Sequence, residues 1–176
     1  MNKAVFLDRD GVINKPIVIE GKSYAPQSLK DFKIFPKVKV AVKKLRNNGF
    51  KVFVISNQPD IGNKLIKKKT LNQMHKLLKS KVPVNKIYFC PHTRNDKCKC
   101  RKPNPGMIIK ASKDSGILLK ESYVIGDRKT DIDAGLKAGC KTIFVNHNYV
   151  EKKPTKQEKT VKSLHAAVKY ILKSQN

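Results

Sequence analysis

Two aspartates one residue apart, Asp8 and Asp10, follow the apolar run Ala4-Val5-Phe6-Leu7 in the stretch Asp8-Arg9-Asp10-Gly11-Val12-Ile13-Asn14. A short hydrophobic run of this kind reads as a buried strand, so both acids fall where it ends, in the crevice where open α/β sheets hold ligands. One carboxylate there can attack phosphorus as a covalent nucleophile. Its neighbour, too close to be electrostatically independent, can donate and then accept a proton. A second acidic pair, Asp127 and Asp131 in Gly126-Asp127-Arg128-Lys129-Thr130-Asp131, again follows an apolar strand. Hard carboxylate oxygens at two strand ends suit Mg²⁺, which needs few protein ligands beside water and substrate phosphate. The whole chain has 13 acidic residues, so four at strand ends are a concentration that asks for a reason.

Two further segments carry groups suited to an anion. Ser56-Asn57-Gln58 closes the apolar run Val52 to Ile55 and places a small hydroxyl at a strand end, where it can hydrogen-bond an anion beside the backbone amides of the next turn. Arg101-Lys102-Pro103 puts two adjacent cations ahead of a Pro-initiated helix, able to neutralise a transferring phosphoryl group. Just upstream, Cys90-Pro91-His92, five residues, then Cys98-Lys99-Cys100 gather three soft thiolates and an imidazole within eleven residues. That set satisfies a tetrahedral Cys₃His zinc site with no position left open for catalysis, so a structural Zn²⁺ is expected on Cys90, His92, Cys98 and Cys100. Closing this loop would fix Arg101 and Lys102, which follow the last ligand directly. Cys140 stands apart after a helical stretch and reads as a small core residue.

The elements that must carry these groups alternate. Residues 3 to 8 form a first strand, and Pro36 to Asn48 a helix with Val38, Val42 and Leu45 on one face. Lys51 to Ile55 is the second strand. A lysine-faced helix follows around 67 to 79, with Leu71, Met74, Leu77 and Leu78 as its buried stripe. Then come strand Lys86 to Cys90, helix Pro105 to Ser115, strand Ser122 to Ile125, a short helix from about Asp131 to Ala138 and strand Lys141 to Val145. A last helix carries Val161, Leu164, Val168, Ile171 and Leu172. This alternation predicts an α/β fold: a single Rossmann-like, doubly wound parallel sheet with helices on both faces. The 176 residues suffice for one domain over positions 1–176, with no linker dividing them. The segment Lys15 to Phe35 is too short for a large cap domain but long enough to fold over the mouth of the site.

No apolar stretch approaches the roughly 18 residues needed to span a bilayer, and charged residues arrive too early for a signal-peptide core. A soluble, cytoplasmic protein without a membrane partner is expected, as a monomer. The formal net charge of +26 raises nucleic acid as a partner. Only five of the 39 basic residues are arginine, and the lysines are dispersed without the clustered arginines or interleaved aromatics that base readout and stacking use. The reading is a solvated lysine surface, with a nucleic-acid 3′-phosphatase or nucleic-acid-binding protein as an alternative.

Asp8-x-Asp10, Ser56, Lys102 and Asp127-x-x-x-Asp131 occur in the order and context of the four motifs of the haloacid-dehalogenase-like phosphohydrolases, which the chain resembles throughout. The resemblance implies that Asp8 is the nucleophile and Asp10 the acid that protonates the leaving oxygen and later activates water. It implies Mg²⁺ held by the Asp8 carboxylate, the Asp10 backbone carbonyl and Asp127, with Asp131 in support behind them. Ser56 and Lys102 would bind the phosphoryl oxygens, with Asn57, Gln58 and Arg101 beside them. The physics agrees, because a dianionic phosphate cannot approach an anionic nucleophile unless cations cancel the repulsion. With its Asp-Arg-Asp-Gly opening, its Cys-Pro-His and Cys-x-Cys-Arg-Lys-Pro loop and Pro105-Gly106-Met107, the chain is similar to the D-glycero-D-manno-heptose-1,7-bisphosphate 7-phosphatases from residue 3 to about 146. The histidinol-phosphate phosphatases share the loop and are the alternative. Lysines 15, 22, 30 and 33 against Glu20 and Asp31 favour a second substrate anion, hence a small phosphorylated sugar. The chain departs from the pattern at Pro59-Asp60, where a small Ser-Gly is usual, and at Lys37, where a Gly is usual.

Overall fold

A computed structural model describes residues 2–175. Six strands form one sheet: β1 (Lys3–Leu7), β4 (Phe50–Asn57), β5 (Lys86–Cys90), β6 (Tyr123–Gly126), β7 (Lys141–Val145) and β8 (Lys159–Val161). Their order across the sheet is β5-β4-β1-β6-β7-β8, and every pairing is parallel. A separate antiparallel hairpin joins β2 (Ile17–Ile19) to β3 (Lys22–Tyr24). The helices are α1 (Val38–Asn47), α2 (Pro59–Gly62), α3 (Lys68–Lys81), α4 (Gly106–Ser115), α5 (Lys129–Lys137) and α6 (Leu164–Lys173).

The sheet is buried on both faces because its strands are continuously apolar and alternate residues serve different cores. Val5 and Leu7 of β1 join Val42 and Leu45 of α1, Met74 and Leu78 of α3, and Val168 and Ile171 of α6. Ala4 and Phe6 join Met107 and Ile108 of α4 and Ala134 of α5. Cys140 is buried in that second core, as expected of a small apolar residue. Doubly wound architecture follows, and β1 lies where the strand order reverses: its neighbours β4 and β6 are reached by crossovers to opposite sides.

Three expectations change. Val161 belongs to β8, because Lys159-Thr160-Val161 pairs in parallel with β7 and the helix begins only after Ser163, whose Oγ caps it by accepting from Ala166 N at 3.2 Å. Val161 and Leu164 share a helical spacing that the cap interrupts. Leu77 is half-buried; the buried stripe of α3 is Leu71, Met74, His75 and Leu78, the i, i+3, i+4, i+7 series that puts Leu77 at the edge. Helix α5 begins at Lys129, two residues early, with Asp131 Oδ2 accepting from Arg128 N. The segment between Lys15 and Phe35 holds the hairpin. Among the described residues no helix is long and apolar enough to cross a membrane.

Lys37, at the start of α1, adopts φ 65°, the left-handed region where a side chain crowds its own backbone. That accounts for the glycine usual at this position in the resembled family. Lys37→Gly is expected to stabilise the protein by about 0.5–1 kcal/mol, read from the urea midpoint of equilibrium unfolding. A lower midpoint would contradict the strain.

Candidate active site

Adjacent strands deliver the chemical groups to one sheet end: Cys90 closes β5, Ser56 and Asn57 close β4, Asp8 follows β1 and Asp127 follows β6. Lys102 arrives from the loop after the cysteines and ends between them. Its Nζ lies 2.7 Å from Asp8 Oδ1 and 2.6 Å from Asp131 Oδ1, and donates to Ile55 O at 2.8 Å, with only 3% of the residue exposed. Asn57 holds it by the backbone, accepting from Lys102 N at 3.0 Å and donating to Lys102 O at 3.1 Å. Burial works against the ammonium charge, but Asp131 and Asp8 outweigh it and hold the lysine above its ordinary pKa.

The carboxylates outnumber that single cation. Oxygens of Asp8, Asp127 and Asp131 lie within 4.8 Å of one another. Burial, then repulsion from Asp131, raises Asp8 to about 6 despite Lys102. Burial and the charges of Asp8 and Asp131 push Asp127 well above the usual carboxylate range. Both oxygens of Asp127 are buried without a hydrogen-bond partner. Orphaned anionic oxygens beside a second carboxylate fit a hard divalent cation. Asp131 is already engaged by Lys102 and Arg128 N, so Asp8 and Asp127 are the side chains available to hold Mg²⁺.

Gly11 makes room for this arrangement. It sits at φ 93°, and a Cβ there would come within 1.8 Å of Asp127 Oδ2. Its carbonyl accepts from His147 Nε2 at 2.6 Å, which ties the acidic loop to the segment after β7.

Asp10 lines the cavity with its carboxylate turned to Arg9, Asn14 and Gln58. Ser56 and Gln58 are fully buried behind the cavity wall, and Gln58 Nε2 donates to both Ser56 Oγ and Asp10 Oδ2, each at 2.8 Å. Asn57, which lines the cavity, fixes Lys102, and Gln58 fixes Asp10. Arg101 lines the mouth and donates to His92 O at 3.1 Å.

The sulfurs of Cys90, Cys98 and Cys100 stand 3.1–3.5 Å apart, and His92 Nδ1 lies 3.5 Å from Cys90 Sγ and 3.3 Å from Cys100 Sγ. These separations are far beyond a disulfide bond of about 2.05 Å and converge on one centre, as a tetrahedral metal requires. Burial pushes the Cys90 thiol up; burial also opposes ionisation of Cys98, but hydrogen bonds from Arg101 N–H and the neighbouring thiols bring it down to about 7. Helix α4 packs against this loop through Gly106, where a Cβ would lie 2.2 Å from Lys99 O.

The cavity, of about 520 Å³, is walled on one side by Arg94, Lys97 and Arg101 and on the other by Arg128, Lys129 and Lys152. Asp60 and Glu151 are its acids away from the sheet end. Three features were not anticipated: His75 against Arg9, Gln27 donating to Asp60 Oδ2 at 3.2 Å, and Arg128, which bonds Ser23 O and lies 3.0 Å from Glu151 Oε1, locking the hairpin over the mouth. For His75 a signal existed, since it falls on the apolar face of α3.

Gly11→Ala is expected to cost more than about 2 kcal/mol in urea unfolding, the combined penalty of positive φ and of displacing Asp127. Unchanged stability would show that the loop has space to spare.

Residues 99–172 match the HAD-hydrolase-like family. A D-glycero-beta-D-manno-heptose-1,7-bisphosphate 7-phosphatase of Helicobacter pylori is 36% identical over 146 residues, spanning 80% of this chain and 81% of that protein. The histidine biosynthesis bifunctional protein HisB of Blochmanniella floridana is 34% identical over 81% of this chain but 40% of its own length. The D,D-heptose 1,7-bisphosphate phosphatase of B. bronchiseptica, solved with magnesium and phosphate, superposes with a TM-score of 0.83 at 25% identity, covering 98% of this chain and 99% of that one.

Proposed function

The chain belongs to the heptose-1,7-bisphosphate 7-phosphatase family of haloacid-dehalogenase-like hydrolases, and we propose from its site that it removes the 7-phosphate of D-glycero-D-manno-heptose 1,7-bisphosphate. The observation that carries this reading is a buried nucleophile, Asp8, paired with Lys102 at the floor of a cavity whose walls are cationic on both sides. An oxygen of Asp8 attacks phosphorus, and the bond from phosphorus to the sugar oxygen breaks. Asp10 gives that oxygen its proton. Water then attacks the phosphoryl group on Asp8, Asp10 takes a proton from it, and phosphate leaves with Asp8 restored.

Lys102 holds the nucleophile and offsets the phosphoryl charge throughout. Asp8, Asp127 and the Asp10 backbone carbonyl would hold Mg²⁺, which supplies further charge neutralisation on the phosphoryl oxygens. Asp131 keeps Lys102 aimed. Arg101 and the other mouth cations receive the second phosphate. Histidinol phosphate would bring an amine and imidazole to this cationic mouth, so the walls favour the bisphosphate over the HisB-type substrate.

A phosphate-release panel with Mg²⁺ tests the reading. Heptose 1,7-bisphosphate is expected to be turned over with kcat/KM at least tenfold above histidinol phosphate and a 3′-phosphorylated oligonucleotide. Asp8→Asn should lose essentially all release. Preference for histidinol phosphate or the oligonucleotide would reassign the substrate, and an active Asp8→Asn would end the covalent route.

The four clustered donors are assigned to structural zinc. Metal analysis of purified protein should find about one tightly held Zn²⁺ per chain, and Cys100→Ser should lower thermal stability and Zn²⁺ content together. Normal folding without zinc would remove the assignment.

A further inference from the structure

Asp10 stands in a buried network that reaches beyond the reacting groups. Arg9 forks onto its carboxylate, with Nε at 3.1 and 3.2 Å and Nη2 at 3.0 and 3.1 Å from the two oxygens. Asn14 Nδ2 donates to Oδ1 at 2.9 Å and Gln58 Nε2 to Oδ2 at 2.8 Å. Arg9 has no exposed surface; it also donates to Gln58 Oε1 at 3.1 Å, and its guanidinium lies 5.4 Å from the Phe32 ring centre. Its remaining nitrogen, Nη1, meets His75 Nε2 at 3.3 Å.

A guanidinium has only donors, so His75 Nε2 is the acceptor and the ring is the neutral tautomer with its proton on Nδ1. Burial and the nearby Arg9 lower the His75 pKa to about 4, which keeps it an acceptor at neutral pH. The ring is itself set edge-on to Phe89, with centroids 5.4 Å apart. A leucine would complete the stripe of α3 as well, yet the position holds a hydrogen-bonding group aimed at the partner of Asp10.

We propose that His75 and Arg9 are positioning residues for the proton donor: the imidazole on α3 fixes the guanidinium, and the guanidinium with Gln58 fixes the direction in which Asp10 presents its carboxyl to the leaving oxygen. The inference rests on the reading of Asp10 as the acid. Its signature is dependence on the leaving group. A sugar oxygen departs as a poor leaving group that needs a proton, whereas 4-nitrophenolate departs as a stable anion that does not. Misplacing Asp10 therefore slows phosphoryl transfer to Asp8 from the sugar phosphate and spares that transfer from the aryl phosphate. The later attack of water, in which Asp10 takes a proton, is common to both and is left out of kcat/KM, which reports only the steps through release of the leaving group, while loss of folded enzyme damages both alike.

The test compares full-length His75→Leu, His75→Gln and Asp10→Asn on heptose 1,7-bisphosphate and 4-nitrophenyl phosphate with Mg²⁺ present. His75→Leu is expected to lose about tenfold in kcat/KM on the sugar phosphate and less than about threefold on the aryl phosphate. His75→Gln, whose amide oxygen can accept from Arg9, should recover most of the loss. Asp10→Asn should show the same split enlarged to about 10²-fold or more. If His75→Leu does not fold, Gln58→Leu takes its place with the same expected split. Equal losses on both substrates, or none, in the His75 and Gln58 variants while Asp10→Asn shows the split would sink the positioning role alone. Absence of the split in Asp10→Asn would instead overturn the assignment of the acid.

Discussion

One buried ammonium group organises this end of the sheet. Lys102 Nζ is shared by Asp8, Asp131 and Ile55 O, so the same contact that offsets the charge of Asp8, the proposed nucleophile, also fixes the loop that brings the lysine there. An ammonium removed from water persists only where charged and polar partners replace its hydration, and here three oxygens do so. Three carboxylates against one lysine crowd negative charge at the floor, and a divalent cation held there would offset the repulsion a phosphate meets. Affinity for metal and competence toward phosphate are in this sense one electrostatic property.

The chain separates its two donor sets by hardness. Oxygens of Asp8 and Asp127 gather at the centre of the sheet, and three sulfurs with one imidazole nitrogen cluster in the loop after β5. Hard ligands suit a cation exchanging with water and substrate; soft ligands suit one that stays. Only Arg101 separates Cys100, the last proposed zinc ligand, from Lys102, so an ordered loop would restrain where that lysine sits. The Asn57 clamp then removes what freedom its backbone retains.

What was legible in the sequence was local chemistry. Asp8, Lys102, Asp127 and the cysteine loop announce themselves because each group follows a short apolar run or sits at ligand spacing, and the alternation of elements carries the parallel sheet. What was not legible depends on pairing between distant segments. β8 is three residues long and becomes a strand only through β7. Glu151 matters because Arg128 is folded against it, and His75 because Arg9 turns inward toward α3. Asn57 and Gln58 were recognised as polar groups in the right place, but which neighbour would consume their hydrogen bonds is a three-dimensional fact. Lys37 shows a different limit: a departure from a family pattern was visible, and its meaning, a left-handed residue, required the backbone.

The position of β1 at the reversal of strand order bears on how the chain acquires its structure. One of the sheet neighbours of β1 lies some 45 residues downstream and the other near residue 123. Contacts so distant in sequence are entropically slow to close, and β1, apolar from Ala4 to Leu7, is paired on both edges only once both neighbours have joined it. The lysines dispersed over the helices, with a net charge of +26, give that waiting segment colloidal protection through mutual repulsion between chains.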